Sequence, residues 1–136
     1  MVNQQKLLYI AGLIVVGAAI LVGIQKFKST SRDANINALI LDLLDIATRI
    51  QANYFTLECL AGGDHSFSGI EIDSSGLQQF FIKPNNINGT FKIVSADDKV
   101  LVIQAIGKED YDGDGQNLTV EMKVYADSVE TMVVNY

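Results

Sequence analysis

The stretch Lys6–Lys28, "KLLYIAGLIVVGAAILVGIQKFK", carries charge only at its two ends, and the eighteen residues Leu7–Ile24 between them are uncharged and mostly apolar. As a helix at 1.5 Å per residue, that run is about 27 Å long, close to the thickness of a bilayer core. A cleavable signal sequence has a shorter apolar core and a small-x-small cleavage site. The run is too long for one, and "GIQKFKS" supplies no such site. Residues 1–28 are therefore expected to form a retained apolar helix. Within it, Gly12, Ala19 and Gly23 are seven and four residues apart and fall within about 40° of one another on a helical wheel. Such a stripe of small residues lets another helix backbone come close. Small residues are also simply common in membrane helices.

Downstream the apolar pattern changes but stays helical. Ile36, Ile40, Leu43, Ala47, Ile50 and Tyr54 follow the 4-3-4-3-4 spacing of a single helix face, with Asn37, Asp42, Asp45, Thr48, Arg49 and Gln51 on the others. The chain's one proline is Pro84, so nothing breaks a helix running from about Asn3 to Phe55. Ser29–Ser31 is its expected soft point, or the place where Ser31 caps a second helix. Paired glycines in "CLAGGDHSFSG" end it. The pattern then becomes period 2 with many β-branched residues, and predicts strands over Phe67–Ile72, Thr90–Ala96, Lys99–Gly107, Leu118–Ala126 and Val129–Asn135. The turn signals "ADDK", "KEDYDGDGQN" and "ADS" separate the last four. The expected fold is α+β: an apolar helical stalk (1–28), its amphipathic continuation (29–55), and an antiparallel β-meander head (56–136) covered by the Ile36–Tyr54 face.

Charge follows the same division. Residues 1–55 carry five Lys/Arg against three Asp/Glu, and residues 56–136 five Lys against thirteen Asp/Glu. An acidic head lacks the basic footprint that nucleic acid requires. Cys59 is the only cysteine and His65 the only histidine, so disulfides, CxxC sites and the usual nucleophilic triads have no basis and no catalysis is expected. Lys26, Lys28 and Arg32 follow the apolar run, with Lys6 alone before it. The positive-inside rule alone would put the head in the cytoplasm.

One motif carries metal chemistry. "DYDGDGQNLTVE" fits the calcium-loop template D-x-D-x-D-G-x5-E, with Asp110, Asp112 and Asp114 at alternate positions, Gly115 at the sharp turn and Glu121 twelfth. The three aspartates are stronger ligand candidates than Glu121, because "LTVEMKVYA" alternates as a strand where the template needs a helix. The competing reading is an acidic hairpin turn, since Asp-Gly pairs are ordinary turn residues. Asn88-Gly-Thr and Asn117-Leu-Thr match the glycosylation tripeptide but sit where turn asparagines are expected.

An N-terminal apolar helix that continues into an amphipathic half supporting a small antiparallel sheet resembles the type IV pilins, across the whole chain in architecture. The start departs from that family's pattern, with Gln5 where a glutamate is usual, and "MVNQQK" is expected to be either the start of an already mature chain or that of a divergent relative processed differently or not at all. The apolar span lacks the proline, and the C-terminal region the cysteine pair, of many bacterial members. The resemblance implies an extracellular filament subunit that polymerises through the Gly12/Ala19/Gly23 stripe. Its partners would be further copies of itself, with the inner membrane and a pilus assembly machinery before assembly. A pseudopilin of a secretion or uptake machine shares this fold and often binds calcium in its head. A single-pass, membrane-anchored binding module is the alternative from another class.

Overall fold

The computed structural model describes residues 3–56, 60 and 62–136. Cys59 lies outside them. The chain divides into two compact units, Met1–Asp33 and Ala34–Tyr136. Helix α1 spans Gln4–Tyr54, and residues 29–31 are helical with the rest, so Ser31 caps no second helix. In the first unit the large apolar side chains from Leu7 to Phe27 are all between 51% and 76% exposed.

The second unit owns the hydrophobic core. Four antiparallel strands, β1 (Gly89–Ala96), β2 (Leu101–Gly107), β3 (Thr119–Val124) and β4 (Val129–Asn135), lie in the order β1-β2-β3-β4, a meander. Register sets the inner face: Phe91 opposes Ala105, which opposes Val120, while Ile93, Ile103 and Met122 form the next row. All six are buried. Alternate residues Val102, Gln104, Glu121 and Lys123 face away from that core, as a two-residue period requires. The part of α1 within this unit buries Leu39, Leu43, Ile46, Ala47, Ile50 and Tyr54 in the same cluster, with Ile36 and Ile40 packed at its margin. Leu39 and Ile46 were not in the expected 4-3-4-3-4 set. They stand at i−4 and i+3 from Leu43, where helix geometry places same-face neighbours.

One expected strand is absent. Phe67–Ile72 is no strand. Phe67 and Ile70 are both buried, three residues apart, and the Ile70 N–H donates to the Phe67 carbonyl in a turn. Ser66, Ser68 and Gly69 favour such a turn over a ladder. Pairing with the β1 edge is confined to a bridge between Asp73 and Ile93, and another links Asn85 to Thr90. A five-residue helix, α2 (Ser74–Gln78), follows where the sequence pattern assigns no element, and it contributes Leu77 to the core. Gly76 is required there because a Cβ would run into the Glu71 carbonyl.

The C-terminal end of α1 is closed by the chain folding back. The Asn53 carbonyl accepts from Gly63 N–H at 2.9 Å, the Tyr54 carbonyl from His65 at 2.7 Å and the Thr56 carbonyl from Asp64 at 2.9 Å. These bonds satisfy carbonyls that a helix end leaves without intrahelical partners. Leu43→Ala should cost about 2–5 kcal/mol of head stability in urea unfolding, because its side chain has no exposure and leaves a cavity. Leu41→Ala, at 67% exposed, should change stability by less than about 0.5 kcal/mol.

Candidate functional site

Two features hold the residues singled out by sequence. The first is the surface of α1 in the unit Met1–Asp33. Gly12, Ala19 and Gly23 are exposed there. A Cβ added at Gly12 or Gly23 meets nothing within 4 Å. The chain's own packing therefore gives no reason for glycine at either position. An 18-residue window of this helix has the length and composition to cross a membrane, and none of that window is buried.

The second is the loop between β2 and β3. The pairing of Gly107 N–H with the Leu118 carbonyl (2.7 Å) and of Leu118 N–H with the Glu109 carbonyl (2.8 Å) closes its base. Within it, one carboxylate oxygen from each of Asp110, Asp112 and Asp114 lies within 4.8 Å of the others. Ligands at 2.3–2.6 Å from a calcium ion are separated by no more than about 5 Å, so the spacing fits a shared hard cation. The curl depends on glycine: Gly113 and Gly115 have φ of 82° and 86°. Glu121, the twelfth residue of the template, is not part of this group. It lies on β3 and accepts a hydrogen bond from Gln104 Nε2 at 3.0 Å. The chain has entered the sheet by that point, which sends Glu121 to the outer face.

The aspartates already have partners from the loop's own backbone. Asp110 Oδ1 accepts from Gly113 N–H (2.7 Å) and its Oδ2 from Gly115 N–H (2.8 Å). Asp112 Oδ1 accepts from Asp114 N–H (3.1 Å), and Asp114 Oδ1 from Gln116 N–H (2.7 Å). The Gly113 and Gly115 amides hold the Asp110 carboxyl below its ordinary value of 3.8. Asp112 also gains from the Asp114 amide. Desolvation, its hydrogen bond with Asp110 and the charge of Asp114 outweigh that gain and raise it. Tyr111 carries the loop's tie to the head, its hydroxyl accepting from Asn35 Nδ2 at 3.2 Å.

Both glycosylation-type asparagines are engaged within the fold. Asn88 Nδ2 donates to Asp42 Oδ2 (2.8 Å) and Asn117 Nδ2 to the Gly107 carbonyl (3.0 Å). His65 is exposed at 3.8 Å from Asp64, with its ring edge-on to Tyr54 and Phe55. Compared with protein-family models, curated proteins and solved structures, the chain matches none.

The two shifts have opposite consequences with pH. A depressed Asp110 stabilises the folded state above its unfolded value, and that contribution disappears as pH falls through the lower folded value. A raised Asp112 favours the folded state only in acid and opposes it once ionised. At neutral pH, Asp110→Asn should lower the melting temperature and Asp112→Asn should leave it unchanged or raise it. Acidification from about pH 5 to pH 2 should narrow the gap between Asp110→Asn and the unsubstituted protein.

Proposed function

We propose that this chain is a structural subunit of a thin extracellular filament of the type IV pilus kind, held together by the apolar half of α1. The observation that carries the proposal is the contrast between the two units. Ala34–Tyr136 has a core of its own, while no residue of the apolar window is buried. An exposed helix that is apolar all round belongs in lipid or among other helices. Covering one such span gains tens of kcal/mol gross, at about 25 cal/mol per Å² of apolar surface. That exceeds the cost of immobilising a subunit. In this proposal the helix sits in a membrane before assembly and in the filament core afterwards, and the subunit catalyses no reaction. Gly12, Ala19 and Gly23 give the close-approach face between neighbouring copies.

Electron microscopy of the full-length protein after detergent removal tests the proposal. Thin, regular filaments are expected. Discrete single molecules would leave the membrane-anchored module as the better reading. Gly12→Leu and Ala19→Leu should each shorten or abolish the filaments while the head melts as before, since the space around Gly12 is open within the chain. Filaments of normal length from both variants would sink the stripe as the packing face.

The convergence of Asp110, Asp112 and Asp114 supports a second element of the proposal, a calcium ion held in the β2–β3 loop. Calorimetric titration of the full chain with calcium should give one site that Asp114→Asn abolishes. Heat no different from a buffer blank, with melting insensitive to chelator, would remove calcium from the proposal. A confirmed site would shift the balance toward a pseudopilin, whose filament stays short and is absent from the cell surface in micrographs.

A further inference from the structure

Within the unit Ala34–Tyr136 a groove of about 460 Å³ opens beside the C-terminal end of α1. Its volume lies in the range of small-molecule sites. The side chains that give it chemical character are Asn53, Asp64, Ser66, Ser68, Gln79 and Phe80. Ile70 forms a buried apolar floor. Among the described residues no lysine or arginine lines it, and the unit around it carries six Lys/Arg against fifteen Asp/Glu. An anionic ligand would meet the Asp64 carboxylate and no compensating cation among the described lining residues, so the groove's electrostatics disfavour it.

What the groove offers is neutral hydrogen bonding in both senses. Ser66 Oγ and Ser68 Oγ lie 2.8 Å apart, either able to donate, so the pair can turn its protons to suit a hydroxyl placed against it. The Gln79 amide, exposed in the lining, makes no hydrogen bond to the described residues and presents one acceptor and two donors. Asp64 supplies two carboxylate acceptors, with His65 Nδ1 3.8 Å from its Oδ1. Planar carboxylate and amide groups match the paired hydroxyls of a sugar ring, and half-buried Phe80 adds aromatic lining suited to its C–H side.

The backbone that presents Asp64 is held under strain. Asp64 and His65 both have left-handed backbone, φ 48° and 64°, fixed by their amides donating to the Thr56 and Tyr54 carbonyls. Strain of this kind, maintained by the surrounding fold, is typical of residues that position a ligand. Gly63 keeps the wall narrow, since a Cβ there would strike the Ser66 carbonyl.

We propose that this groove binds a neutral, hydroxyl-rich ligand, a hexose or N-acetylhexosamine unit of a glycan. It rests on neither the filament reading nor the acidic loop. The test uses the full chain in a zwitterionic detergent without a sugar headgroup, applied to an array of neutral oligosaccharides beside sialylated and sulfated ones. At least one neutral glycan should bind, with the acidic ones rejected. Titration of that glycan followed by NMR should show Asp64→Asn and Gln79→Ala each weakening binding at least about tenfold. Met132→Ala, on the outer face of β4, should leave it unchanged. Asparagine keeps the left-handed backbone accessible at position 64, and Ser68→Ala replaces either variant if its melting temperature falls. Absence of any neutral ligand, a preference for acidic glycans, or affinity unmoved by these folded variants would overturn the assignment.

Discussion

The head depends on one apolar contact: the face of α1 that carries Leu39, Leu43, Ile46, Ala47 and Ile50 shares a single core with the inner face of the sheet. Once that face is covered, strand register has little freedom, because a one-residue slip would turn Ile93, Ile103 and Met122 out to solvent. The flanks of the same helix segment then tie down the loops. Asn35 reaches Tyr111 in the acidic loop. Asp42 accepts from Asn86 and Asn88 ahead of β1. Gln51 donates to the Tyr125 and Ser128 carbonyls at the β3–β4 turn. Each such bond contributes about 1 kcal/mol at most in these partly exposed positions. Their greater effect is to fix where each loop sits once the apolar core has formed.

The two stretches of α1 differ in pattern more than in helix-forming tendency. From Ile36 to Tyr54 one face is apolar and the others are polar, which suits a helix lying on a sheet. From Leu7 to Ile24 every face is apolar, and there is no polar side to leave in water. The proposal of a filament subunit rests on this difference. Motif plays a smaller part, because Gln5 departs from the pattern the resemblance would carry.

Polar chemistry in the head collects in two places with different electrostatics. The β2–β3 loop concentrates carboxylates that are partly compensated by amide donors and partly in conflict with one another, as the opposite shifts of Asp110 and Asp112 record. The groove beside the end of α1 sets the Asp64 carboxylate among neutral hydroxyls and amides of the described residues. The two proposals follow this difference, a cation for the first place and a neutral polyol for the second.

Much of this was legible in sequence because it depends on local spacing. The helix limits, the four strands of the meander and the convergence of Asp110, Asp112 and Asp114 all follow from periodicity or from turn chemistry within a dozen residues. The misses depend on contacts between distant segments. "SFSGIEI" alternates well enough for a strand, yet among the described residues β1 forms a ladder bridge here at Asp73 alone, so the segment turns and buries Phe67 and Ile70. Glu121 satisfies a template by count, and its weaker standing was already legible in the strand alternation of "LTVEMKVYA"; the tertiary fold adds only its partner, Gln104. The groove could not be read from sequence, since Asn53, Asp64 and Gln79 come together only after the chain folds back on the last turn of α1. Sequence alone determined which residues are helical, which alternate and which surfaces are apolar, because these are near-neighbour properties of the chain. Which polar groups face one another was decided only by the tertiary structure, through the burial of one helix face against a sheet far along the chain.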